Sequence, residues 1–223
     1  MRFNNNCDED IYEIAKSQIK NLIELAELRK TDVFYDLGSG RGHVIRMVVK
    51  HVRRAIGIES ERKYYEVARK LAQKELSNIE LRKLEFWVGE FNYVNDDYYV
   101  YDLSDATIIY NSLIEEDEQE VNFYKTKLKH NVRIIKKDLP LVGFRPINSN
   151  KNSKRCWFFL MNTPLWKYRI KSKNKWAQLV LGKEDATIND VYDYFIDLWT
   201  QRGENDDNID FLEKLVRKRL PLP

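Results

Sequence analysis

The chain has 223 residues, 43% hydrophobic content and a formal net charge of +3, which fits one ordinary domain or one domain with an elaboration. No apolar run reaches the roughly 18 residues of a membrane-spanning helix, and residues 1–7 lack the basic start and apolar stretch of a signal peptide. Cys7 and Cys156 form no spaced metal or redox pair, so a reduced, cytoplasmic setting is the expectation, with nucleoid or chromatin association as its extension.

Residues 9–28 repeat Ile11, Ile14, Ala15, Ile19, Leu22, Ile23 and Ala26 at helical spacing and predict an amphipathic helix, with Asp8 or Asp10 as cap. The stretch from Thr31 to His43 is the centre of the chain. Val33, Phe34, Tyr35 and Leu37 read as a strand covered on both faces, and glycines follow at 38, 40 and 42. Residues 43–51 then carry Val44, Ile45, Val48 and Val49 as a helix stripe. Such a turn lets the main chain approach a ligand, with N–H groups pointing at it.

Arg54–Glu59 predicts a second strand ending on a carboxylate, and residues 61–76 a helix with Tyr65, Ala68, Leu71, Ala72 and Leu76 facing inward. Leu84–Val88 is a third strand, closed by Gly89-Glu90-Phe91; Ala106–Asn111 is a fourth, followed by a helix over 115–128 with acids in its first turn. Val132–Ile135 is a fifth. Five alternations of strand and helix predict a parallel sheet with helices on both faces. Beyond Asp138 the pattern changes. A loop to Ser153 leads to strands over 156–161 and 166–170 and a short strand over 176–181. Thr187 caps a helix over 187–202, and a last helix spans 208–220. Between Asp138 and Glu184 stand ten lysines and arginines and no acid. These cations interleave with Trp157, Phe158, Trp166, Tyr168 and Trp176, read either as core strands or as a nucleic-acid face over 145–183, with 171–175 as an exposed contact loop.

The run Asp36-Leu37-Gly38-Ser39-Gly40-Arg41-Gly42, with Glu59 nineteen residues after Gly40 and Glu90-Phe91 after the third strand, resembles the motif set of class I methyltransferases that use S-adenosylmethionine. The resemblance implies a Rossmann-like α/β fold with a mostly parallel, seven-stranded sheet. It makes Asp36, Gly38, Ser39, Gly40, Gly42, Glu59, Glu90, Phe91 and Asn111 the cofactor-binding residues. The physical logic agrees, since a ribose diol offers two donors and one carboxylate accepts both. A nicotinamide-binding fold also uses glycines and a ribose-binding acid, but its third glycine falls at position 43, which is His. The continuation through Gly57-Ile58-Glu59 and Gly89-Glu90-Phe91 is similar to the non-SET histone-lysine methyltransferases of the disruptor-of-telomeric-silencing type and to small archaeal protein-lysine methyltransferases. That family's Asn-Asn pair after the fourth strand is matched by Asn111 alone, and His43 replaces its glutamine.

Methyl transfer requires alignment, a dry site and a neutral acceptor amine. The acceptor belongs at the end of the fourth strand, where Asn111 is the first candidate for catalysis and Tyr110 the second. Tyr110-Asn111-Ser112-Leu113 lacks the paired prolines of DNA-type amino-methyltransferases. The expected reaction is methylation of a protein lysine. The alternatives are an RNA methyltransferase using the basic face, or a silent binding module of the same fold. His43, His51 and His130 are scattered and imply no metal site. The expected division is a helical segment 1–30, a methyltransferase domain 31–170 and a basic, helical extension 171–223.

Overall fold

A computed structural model describes residues 14–89, 102–112, 124, 128, 132–137, 148–149, 158–162 and 173–201. Seven strands make one sheet: β1 Val33–Leu37, β2 Arg54–Glu59, β3 Leu84–Val88, β4 Ile108–Asn111, β5 Arg133–Lys137, β6 Asn148–Ser149 and β7 Phe158–Asn162. Their order is β3-β2-β1-β4-β5-β7-β6. The first five are mutually parallel, β7 runs antiparallel to β5, and β6 pairs antiparallel with β7. The sheet is thus mostly parallel, with five parallel strands and two antiparallel segments that complete one side.

The helices are α1 Lys16–Ala26, α2 His43–Val48, α3 Arg62–Glu75, α4 Asn78–Leu81, α5 Lys173–Leu181 and α6 Ile188–Gln201. Every residue of β1 is buried, as the apolar run requires of a strand covered on both sides. Its side chains alternate between two cores. Phe34 joins Ala55, Ile108, Tyr110 and Ile135 under α1 and α2, where Ile19, Leu22, Ile45 and Val48 are fully buried. Val33, Tyr35 and Leu37 join Ile56, Ile58, Ile109 and Ile134 on the opposite face, together with Leu103 and Tyr124. On that face Tyr35 donates to Asp105 Oδ1 at 2.8 Å, and Arg54 grips Glu85 through two bonds of 2.7 and 2.9 Å and Asp105 through a third of 2.9 Å. Burial and the Asp105 carboxylate push the Tyr35 phenol well above its usual range.

The lower end of the sheet is tied by Asp32, just before β1. Its carboxylate accepts from the Arg29 N–H at 2.6 Å, Thr107 Oγ1 at 2.9 Å and Arg133 Nη2 at 2.6 Å. Arg133 also donates to the carbonyls of Ala26 and Glu27 at the end of α1. One buried carboxylate therefore joins α1, β1, β4 and β5.

Several sequence expectations change. The first helix starts at Lys16, with Gln18 accepting from the Ala15 N–H; its expected caps, Asp8 and Asp10, lie outside the described residues. On α3 it is Tyr64, not Tyr65, that is buried with Ala68 and Ala72, because positions 64, 68 and 72 form one i, i+4 stripe. The short α4 follows a Ser77-x-x-Glu80 capping box: Ser77 N donates to Glu80 Oε2 at 2.7 Å, and Glu80 N donates to Ser77 Oγ at 3.4 Å. The strand expected over 176–181 is instead the helix α5. Trp176, Ala177 and Val180 are buried while Asn174 and Lys175 are exposed, the spacing of a helix face rather than of a strand. Lys173–Lys175, expected in a loop, form its first turn. Thr187 does cap α6, exchanging bonds with Asp190. The expected helices over 115–128 and 208–220 and the strand over 166–170 fall outside the described residues, apart from Tyr124 and Leu128. No described helix is long and apolar enough to cross a membrane.

Candidate cofactor and acceptor site

In an open parallel sheet the ligand sits at the carboxyl ends of the strands, where strand order reverses. Here that point lies between β1 and β4. Asp36 pairs in register with Tyr110, and Leu37 with Asn111; on the other side Asp36 pairs with Gly57 and Leu37 with Ile58. The turn after β1 is anchored on β2, because the N–H groups of Gly38 and Ser39 donate to the Ile58 carbonyl at 3.0 and 2.9 Å. Gly38, Gly40 and Gly42 all hold positive φ, at 77, 52 and 70°, a backbone region that disfavours other residues.

The glycines differ in what they face. A Cβ on Gly42 would lie 2.8 Å from Phe86 and 3.1 Å from Ala68, so Gly42 lets α2 close onto β3 and α3. Gly57, read from the sequence only as part of the Gly57-Ile58-Glu59 strand end, has a similar duty. A Cβ there would lie 2.9 Å from Ser39 Oγ, so its bareness makes room for the turn. Gly40 faces the carboxylate of Glu59 and donates to Oε2 at 2.6 Å. Glu59 Oε1 accepts from the Glu61 N–H at 2.9 Å and more distantly, at 3.4 Å, from Ser60 Oγ. Each carboxylate oxygen accepts about two bonds, so Oε2 keeps one acceptor position among the described residues, and the second bond to Oε1 is only the long Ser60 contact.

Asp36 is the outlier. It is 1% exposed, and neither of its oxygens has a partner among the described residues; Ser39 Oγ and Tyr64 Oη are likewise buried without one there. Burial, and then the charge of Glu59, push the Asp36 carboxyl up to about 8. A buried acid with no donor holds its proton, and such orphaned groups mark places where a ligand completes the bonding. The set fits S-adenosylmethionine. Glu59 offers acceptors for a ribose diol, while Asp36 and Ser39 offer polar partners for the charged methionine end. No cluster of three or more metal-ligating side chains occurs among the described residues.

At the end of β4, Asn111 is fully buried and its amide Nδ2 donates to Tyr124 Oη at 3.1 Å. That bond orients the amide and makes its oxygen the acceptor end. Tyr110 points to the opposite face and its ring is built into the core under α1 and α2, which suits packing rather than catalysis. Glu90 and Phe91 lie outside the described residues; Gly89, the last described residue before them, donates its N–H to the Glu59 carbonyl at 2.9 Å. Sequence reading also missed Lys136. It pairs in register with Asn111 and is 2% exposed, a rare state for lysine. The two lysines of the Ile-Ile-Lys-Lys run read as a polar strand end and carry no signal of burial.

The family described as Histone methylation protein DOT1 matches residues 3–160. The chain belongs to the DOT1 family. With it goes membership of the class I methyltransferases that use S-adenosylmethionine, in accord with the turn, Glu59 and the parallel sheet. A protein-lysine N-methyltransferase of Saccharolobus islandicus is 24% identical over 131 residues, covering 57% of this chain and 75% of that protein. The fold of this DOT1-family chain is also similar to an RNA methyltransferase from Salinibacter ruber solved with S-adenosyl-L-homocysteine. There the TM-score is 0.58 and the identity 22%, over 68% of this chain and 93% of the other.

Proposed function

We propose that this methyltransferase acts on the side-chain amine of a lysine in a protein. The observation that carries the reading is Asn111, fully buried at the end of β4, beside the cofactor turn and with its amide nitrogen committed to Tyr124. A lysine amine is normally protonated near pH 7, with a pKa of about 10.4, and attacks only as the neutral base. The Asn111 amide oxygen accepts one N–H of that neutral amine and aims the nitrogen lone pair. The cofactor supplies an electrophilic methyl group on sulfur. The protein's part is alignment and exclusion of water. Family membership and the lysine-specific relative support the same acceptor class.

Incubation with methyl-labelled cofactor and cell extract tests this. Label that disappears on protease treatment and survives nuclease supports a protein acceptor; label that survives protease and is lost to nuclease contradicts it. Asn111→Ala should lower turnover by about a hundredfold, the size of a positioning defect.

A further inference from the structure

The loops leading into β1, β2 and β3 carry Arg29-Lys30, Lys50-His51 with Arg53, and Arg82-Lys83. Because these three strands are parallel neighbours, the loops lie side by side at the end of the sheet opposite the cofactor turn, successive strands about 4.8 Å apart. Backbone bonds fix the arrangement. The Arg53 N–H donates to the Asp32 carbonyl at 2.9 Å, the Ala55 N–H donates to the Lys83 carbonyl at 2.8 Å, and Lys30 Nζ donates to the Lys50 carbonyl. Arg29, Lys30, Lys50, His51, Arg53 and Arg82 are all exposed.

The charges act together. Burial, then Lys30 and Lys50, hold the His51 imidazole below its usual range. Most nearby acids are engaged: Asp32 is bound to Arg133, Glu80 to the Ser77 cap, and Glu85 and Asp105 to Arg54, while Glu27 and Asp102 are exposed. Helices α1 to α3 also finish at this pole. Their carbonyl ends, each worth about half a negative charge, balance part of the cationic excess and leave the rest facing solvent. Ile79, 70% exposed, is the one large apolar side chain exposed near these loops among the described residues, so the surface is dominated by charge.

We propose that this pole docks the phosphate backbone of a nucleic acid. Long cationic side chains on a surface dominated by charge suit sequence-independent phosphate contacts. Strand β1 separates the pole from the cofactor turn by about 15 Å, so a chain held here keeps its acceptor site open to a protein on the same nucleic acid. The proposal goes beyond the methyl-transfer reading and does not depend on it.

The test is fluorescence anisotropy of a labelled DNA duplex of about 30 base pairs, titrated with the full chain between about 50 and 200 mM salt. The parent should bind, with affinity falling linearly in log salt. Lys30→Glu, Lys50→Glu and Arg53→Glu together should weaken binding at least tenfold and flatten the salt slope by about three, with unchanged S-adenosylhomocysteine affinity as the check of fold. The milder Lys30→Gln with Arg53→Gln should lose about two in slope. Parent protein that ignores the duplex would overturn the proposal. So would triple-variant binding within twofold of the parent, loss confined to Lys171→Glu with Lys173→Glu and Lys175→Glu, or capture by phosphatidylserine vesicles with no duplex binding.

Discussion

Asp32 and Asp36 stand at opposite ends of the same strand, both nearly inaccessible to water, at 4% and 1% exposure. Their surroundings are opposite. Burial raises the Asp32 carboxyl, but the Arg133 side chain, the Arg29 N–H, the Thr107 hydroxyl and the Arg133 charge outweigh it and hold the group below its usual range. Asp36 has burial and the Glu59 charge alone, and is pushed up to about 8. Asp32 immediately precedes β1 and Asp36 lies within it, so sequence context does not separate them; the donors around each do. A fully satisfied buried carboxylate holds the sheet together. A buried carboxylate without donors costs stability and persists where a ligand supplies what the fold withholds.

The largest expected effect is at the satisfied end. Arg133→Met leaves Asp32 buried without its charge partner and should cost about 3–5 kcal/mol in urea unfolding. Asp36→Asn should do the reverse, leaving stability at pH 7 unchanged or raised while weakening S-adenosylhomocysteine binding at least tenfold, about 1.4 kcal/mol. A variant that destabilised as much at Asp36 as at Arg133 would break the contrast. The pH dependence of the ligand-free protein follows from the same two groups. Asp32 is depressed in the folded state, so its stabilisation is present above the ordinary carboxylate range and is lost as pH falls through its folded pKa. Asp36 is raised, so stability declines as pH climbs from its unfolded value near 4 to about 8 and is flat beyond. Asp36→Asn should therefore remove the decline on the alkaline side and leave the acid side intact, as thermal melts across pH will register. Gly42→Ala should follow at about 2–3 kcal/mol, since positive φ and overpacking against Phe86 coincide. Gly182→Ala shares φ +70° with open space around it and should cost about 1 kcal/mol. Smallest is Glu27→Gly. Glu27 ends α1 in the left-handed region, φ 46°, and glycine there should add up to about 1 kcal/mol.

The two ends also differ in how legible they are. The upper end is local in sequence: Asp36 to Gly42 and Glu59 can be read because strand, turn and carboxylate follow at fixed spacing. The lower clamp joins Asp32 to Thr107 and Arg133, 75 and 101 residues away, and no spacing rule reports such a partnership. The strand expected at 176–181 became α5 because Trp176, Val180 and Leu181 read as a β-prone run, while burial follows Trp176, Ala177 and Val180. The Ser77-x-x-Glu80 box was readable and signals α4. Tyr110 and Asn111 are adjacent, yet the period of two sends them to opposite faces, so adjacency in sequence does not make a shared site.

The contrast is tested most directly by calorimetry of S-adenosylhomocysteine binding at pH 7 in two buffers of different ionisation enthalpy. If Asp36 holds its proton until the ligand's charged end arrives, binding will release about one proton, and Asp36→Asn will abolish that release. Binding with the same heat in both buffers would contradict the account of Asp36, and absence of any binding heat would contradict the cofactor site itself.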